Sequence, residues 1–89
     1  MVFEVTYTKG SAIIQEGNVP TAFIYLLKGV AKDSGGQLRQ QGEFLALEEL
    51  IMSTPVKRSV MAIEDVESLT FEPEDIPVLR EKNPEVLKD

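Results

Sequence analysis

The chain has 89 residues, 43% hydrophobic and 27% charged, and carries a net charge of −6, so it is bounded to a single globular domain spanning residues 1–89. It contains no cysteine and no histidine, which excludes a disulfide scaffold, a thiolate or imidazole metal centre, cysteine catalysis and any Ser-His-Asp triad. The charge is uneven, +1 over residues 1–41 and −7 over residues 42–89, and such a surface repels phosphate backbones and anionic membranes, so neither direct nucleic-acid binding nor membrane association is expected.

Val2 to Thr8 alternates, with Phe3, Val5 and Tyr7 on one face, and predicts a strand with one buried side. Lys9-Gly10-Ser11 is a turn, and Ala12-Ile13-Ile14 is a short strand ending at the Glu16-Gly17-Asn18 corner. Val19-Pro20-Thr21 is an extended connection, because the residue before proline avoids the helical region. Ala22 to Leu27 is the most apolar stretch and predicts a central strand. Gly29 allows it to bend, Val30 to Lys32 continue it, and Asp33-Ser34-Gly35-Gly36 is a hairpin turn. Gln37 to Gln41 is polar and predicts an edge strand.

After Gly42-Glu43 the period changes. Phe44 to Met52 has apolar residues at helical spacing, with Leu47, Leu50 and Ile51 on one face and Glu48 and Glu49 pointing away. A helix of two turns is expected there, ended by Ser53-Thr54-Pro55. Strands Arg58–Ile63 and Val66–Phe71 follow, joined at Glu64-Asp65. A helix opens near Glu74-Asp75 with Pro77 in its first turn and runs on through Arg80 to Lys82, and Asn83-Pro84 starts a last turn. The whole is mainly β: a double-stranded β-helix or jelly roll, that is a cupin-like β-roll, with one short helix and C-terminal helical turns.

No apolar run approaches the ~20 residues of a membrane span, and no basic-then-apolar leader opens the chain. A cytoplasmic location is expected. No carboxylate pair or nucleophile–base pair is placed for catalysis, so the chain reads as no enzyme. Tyr25 and Phe23 could stack on a base, but aromatic residues on an apolar strand more often form core. The acids between Glu64 and Asp75 lack calcium-loop spacing and read as a solvated turn.

The ordered pieces Tyr7-Thr-Lys-Gly-Ser-Ala-Ile-Ile-Gln-Glu-Gly17, Phe23-Ile-Tyr-Leu-Leu-Lys-Gly-Val30, Gly42-Glu-Phe44, Lys57-Arg-Ser-Val-Met-Ala62 and Glu64-Asp-Val-Glu67 together resemble the cyclic-nucleotide-binding domain of the catabolite-activator-like regulators. The resemblance runs from about Tyr7 to Leu87. It implies a phosphate cassette, in which backbone N–H groups at a helix start and one arginine meet a cyclic phosphate, a glycine admits the ligand and a glutamate accepts from the ribose. On this sequence the resemblance puts the cassette helix at Leu45 to Met52 and the phosphate pair at Arg58-Ser59. The ligand-binding residues it implies are Leu45, Ala46, Leu47, Glu48, Arg58 and Ser59. The cassette Gly-Glu is represented by Ala46-Leu47, with Glu48 one position late. A second register, with Gly42-Glu43 as that pair, stays open.

Arg58 has a second reading as a strand-end arginine paired with Glu48 or Glu49. The resemblance implies a regulatory module for a cyclic nucleotide or other small anion, with altered or lost preference, no cofactor, and action through a partner. The alternative is an inert roll serving as a homodimer or regulatory protein contact; a metal-free cupin enzyme is a third reading. Regulators of this type continue into a dimerisation helix and a helix-turn-helix region. A chain ending at Asp89 is thus expected to be either a fragment or a module that works through another protein.

Overall fold

The structure is a computed structural model and describes residues 2–77. Eight strands and one helix follow in order: β1 (Val2–Tyr7), β2 (Ala12–Ile14), β3 (Phe23–Lys28), β4 (Ala31–Asp33), β5 (Leu38–Arg39), β6 (Phe44–Leu45), α1 (Leu47–Met52), β7 (Val60–Ala62) and β8 (Val66–Phe71), then a single 3-10 turn at Pro73–Asp75. They form two four-stranded antiparallel sheets, ordered β1-β8-β3-β6 and β2-β7-β4-β5. This is the expected mainly-β roll.

The core lies between the sheets. Ile24, Leu26, Leu45 and Val66 come from one sheet, and Ala31, Val60 and Ala62 from the other. The period-two alternation of β3 puts Ile24 and Leu26 inward and Phe23 and Tyr25 on the opposite side. There Phe23 stacks on Phe71 with ring centroids 5.0 Å apart, and Tyr25 meets Phe44 at 4.9 Å. Both faces of β3 are therefore covered, which is why its sequence is apolar throughout. Phe23 and Tyr25 have their places in this aromatic group, not against a base.

Gly29 closes the β3–β4 corner at φ +98, where the backbone of Asp65 and Val66 passes so closely that a Cβ would meet the Asp65 carbonyl. A glycine is required there on both counts.

Three expectations change. The run from Phe44 is not helical from its start: Leu45 pairs with Ile24 and Phe44 with Tyr25 in β6, and helix begins at Leu47 after Ala46 turns the chain at φ 66. The edge strand expected over residues 37–41 shortens to Leu38–Arg39, where the N–H groups of Gln37 and Gln40 donate to the carboxylates of Asp33 and Glu43. In α1, Leu47 and Leu50 are half-buried but Ile51 is 47% exposed. Ser53, at φ 55, ends the helix by donating its N–H to the Glu49 and Leu50 carbonyls.

The 3-10 turn starts with proline at its first position, and its Glu72 N–H donates to the Asp75 carboxylate at 2.9 Å. Of the helix expected to open near Glu74-Asp75, the stretch from Val78 to Lys82 lies outside the described residues, as does the last turn at Glu85 to Lys88. Among the described residues no helix is long and apolar enough to cross a membrane.

Candidate functional site

A cavity of ≈ 400 Å³ opens between β6–α1, the loop leading into β7, and the β4–β5 hairpin. Leu45, Ala46, Glu48 and Arg58 line it, together with Asp33 and Arg39. Of the residues expected at the site, Leu47 and Ser59 do not line it. Glu48 and Glu49, on the side of the helix away from Leu47, Leu50 and Ile51, both do.

Two pins fix the backbone that carries Arg58. On one side Val56 is buried and exchanges hydrogen bonds with the β2–β3 loop: Gly17 N–H to the Val56 carbonyl at 2.8 Å, and Val56 N–H to the Asn18 carbonyl at 2.9 Å. On the other side the Ser59 hydroxyl accepts from the Glu16 N–H at 2.9 Å, and its carbonyl accepts from the Ser34 N–H at 2.8 Å. Ser59 thus joins two loops across the roll. Its hydroxyl accepts a bond there, and Ser59 does not line the cavity.

Arg58 pairs with neither Glu48 nor Glu49. Its Nη1 lies 3.8 Å from Asp33 Oδ1, and its guanidinium lies against Gly35. The long-range pairing of β4 with β7, which sets Asp33 opposite Val60, brings together two residues far apart in sequence.

Asp33 is the buried charge of the site, its side chain 1% exposed. Burying a carboxylate is costly unless it is hydrogen-bonded and paired, and Asp33 is both. Its Oδ1 accepts from the N–H groups of Gly35 at 2.9 Å and Gln37 at 3.0 Å, and Arg39 Nη2 lies 3.5 Å from its Oδ2. The Gln37 N–H foremost, with that of Gly35 and the charges of Arg58 and Arg39, holds the carboxyl below its ordinary pKa, against the opposing effect of burial. Asp33 is therefore ionised at neutral pH.

Arg39 reaches from β5 to Asp33 and, through Nη1 at 3.4 Å, to Glu43. Glu43 in turn accepts from the Gln40 N–H at 2.7 Å. Gly42 N–H donates to the Leu26 carbonyl at 2.8 Å. Gly42-Glu43 is accordingly the turn entering β6, and Glu43 does not line the cavity.

Glu49 and Lys57 complete the charged lining, so three carboxylates face three cations and the wall has no net charge. The arrangement can neutralise an oxyanion through guanidinium groups and accept a hydroxyl through Glu48. Among the described residues no group of Asp or Glu could hold a metal ion. Asp33 and Arg39 were not legible as site residues from sequence. Their positions flanking the Ser34 to Gln37 turn were a signal for a cross-hairpin pair, but not for a cavity.

The sequence matches the family model described as the cyclic nucleotide-binding domain over residues 4–83. No curated protein matches it. Among solved structures it is similar to the catabolite activator protein of Thermus thermophilus, with 26% identity and a TM-score of 0.77 over 96% of this chain and 44% of that one. It is similar in fold to a cAMP-bound PfPKA-R, at 18% identity and a TM-score of 0.81, over 93% of this chain and 30% of that one. It is likewise similar to the N-terminal domain of a transcriptional regulator from Streptomyces coelicolor A3(2), at 21% identity and a TM-score of 0.69, over 96% of this chain and 67% of that one. The chain thus spans less than half the length of the Thermus protein.

Proposed function

Because the chain belongs to the cyclic nucleotide-binding domain family, we propose that it is a regulatory module whose ≈ 400 Å³ cavity binds a cyclic nucleotide or a related small anion, with Arg58 as the anion contact. The observation that carries the reading is that Arg58 shares the cavity wall with Leu45, Ala46 and Glu48. Ala46-Leu47 removes the glycine and carboxylate expected for phosphate approach and ribose recognition, and Glu48 and Glu49 bring negative charge toward the anion. The ligand preference is therefore altered from that of the family. The module acts by shifting a two-state element in a partner or in a further part of its own chain. It has no enzymatic activity, and we assign it to the cytoplasm.

A thermal-shift panel of cAMP, cGMP, cyclic dinucleotides and inorganic phosphate tests this. Ligand at ~100 times its Kd stabilises the native state by about 2.7 kcal/mol, which raises the midpoint of so small a domain by roughly 10 °C or more. Arg58→Ala abolishes that rise. Unchanged affinity in the variant overturns the reading.

A second reading, an inert roll that self-associates or docks on a protein, is supported by the outer side of the second sheet. Leu38 and Met61, which flank Lys32 on neighbouring strands, are 47% and 51% exposed. Sedimentation as a strict monomer at high concentration removes self-association.

A further inference from the structure

Arg39 makes poor use of its donors. Charge-assisted N–H···O bonds settle at about 2.7–2.9 Å, yet its contacts to Glu43 and Asp33 are 3.4 and 3.5 Å. Its Nε is buried with no hydrogen-bond partner, although a guanidinium carries five donors in a fixed fork. Asp33 does not hold it closely: the two short bonds of that carboxylate, from Gly35 and Gln37, are both to Oδ1, and Arg39 meets Oδ2 only at long range. The side chain is 30% exposed and lines the cavity.

Arg58 approaches the other oxygen of the same carboxylate, also at long range. The two guanidinium groups therefore flank one buried anion, and both border the same cavity. Asp33 and Glu43 offset the two charges, but every contact they make to the guanidinium groups is long, 3.4 to 3.8 Å. An acceptor entering the cavity would offer each arginine a shorter bond than it now has.

We infer that Arg39 is a second anion-contact residue, forming with Arg58 a two-guanidinium clamp for an oxyanion that presents two unbridged oxygens, such as a phosphodiester or phosphoryl group. This rests on the proposed ligand cavity and adds to it a specificity determinant outside the β6–α1 segment. The clamp requires an oxyanion; a neutral nucleoside is not a ligand.

The test is the affinity of the full chain for cAMP, cGMP and inorganic phosphate, measured by calorimetry on wild type, Arg58→Ala, Arg39→Gln, Arg39→Lys and Glu43→Gln. Arg39→Gln is expected to weaken binding of whichever probes bind by 10-fold or more. Arg39→Lys, which keeps the charge but not the fork, weakens it several-fold and reports even where the glutamine variant folds poorly. Glu43→Gln leaves affinity within about twofold, since it loosens only the structural tie of Arg39 and can still accept from the Gln40 N–H. The factor lost on Arg39→Gln is the same for nucleotide and phosphate when both bind, because the contact is to their shared oxyanion.

Equal losses in Glu43→Gln and Arg39→Gln would make Arg39 a hairpin tie and overturn the clamp. A loss confined to nucleotides would overturn it as well. Binding abolished by Arg58→Ala but untouched by both Arg39 variants would overturn the clamp and leave the ligand cavity standing. Failure of wild type to bind any probe removes the cavity reading and the clamp together.

Discussion

Gly35 lies directly against the guanidinium of Arg58, and a Cβ on Gly35 would overlap its Nη1 and Cζ atoms. Gly35 does not occupy the left-handed region, so alanine fits its backbone, and the atom it would meet is the end of a flexible, 56% exposed side chain. Gly35→Ala therefore displaces Arg58 without disturbing the roll. Its unfolding free energy should stay within roughly 0.5 kcal/mol of wild type, while anion affinity falls several-fold. Loss of stability without loss of affinity would show that the contact supports the hairpin and not the site.

The acid sensitivity of the fold should pass in part through Asp33. Its carboxyl titrates below the ordinary 3.8, chiefly because the Gln37 N–H bonds the ionised form. A folded-state pKa below the unfolded one contributes stability above the unfolded value and loses it as pH falls through the folded value. Asp33→Asn should thus be the less stable protein at pH 6, and the gap should close below pH 3.8. Urea midpoints measured from pH 6 to pH 2 check this. Parallel curves would move the sensitivity to Asp75, whose carboxyl is also lowered, by the Glu72 N–H.

Ala46 holds φ 66 and ψ 11 at the start of α1, a conformation costing an L-residue roughly 1–2 kcal/mol. Glycine removes that strain but loses more freedom on folding, about 0.5–1 kcal/mol. Ala46→Gly should stabilise the protein by a net ~0.5–1 kcal/mol and raise its midpoint by about 2–8 °C. A lower midpoint would mean that the Ala46 methyl packs against the cavity wall strongly enough to outweigh the strain.

Gly29→Ala should be the opposite case. The new methyl would meet the backbone carbonyl of Asp65 and come within 2.9 Å of Val66 Cα, at a φ of +98. These backbone atoms cannot give way as a side-chain end can. The expected cost is roughly 3 kcal/mol or more, a large share of the stability of a small domain, read as a lowered urea midpoint. A near-neutral result would show that the β3–β4 corner can open.

The strands with a clear period were legible in the residues. Ile24 and Leu26 alternate with Phe23 and Tyr25, Gly29 marks a corner, and the Glu64-Asp65 turn separates β7 from β8. The two-residue strand β6 was not legible, because Phe44 and Leu45 are too few to show a period and join smoothly onto the helical spacing of Leu47 and Leu50. The break between them is the left-handed Ala46, which a sequence does not announce in a residue other than glycine. The site was half legible for a similar reason. Arg58 stood out as the arginine, followed by serine, after a cassette-like run. Its partner Asp33 could be found only through the pairing of β4 with β7, whereas the acids of the preceding helix, Glu48 and Glu49, were the wrong ones. Ser59 followed Arg58 in the motif, but its hydroxyl bonds Glu16 across the roll.

The register that sets Val2 opposite Phe71 bears on how the chain reaches its native state. β1 lies on the edge of its sheet with β8 as its neighbour, so β1 waits for a strand that follows it by most of the described chain. A nascent chain released before Val66 keeps the backbone N–H groups of Val2 to Tyr7 unmatched, and β3 is also left without the strand that lies between it and β1. Closing so long a loop before any reward makes folding slow for a domain of this size, in the millisecond-to-second range of non-local β topologies. Assembly is all-or-none in consequence: truncation at the β7–β8 turn should yield an unfolded chain, not a smaller roll.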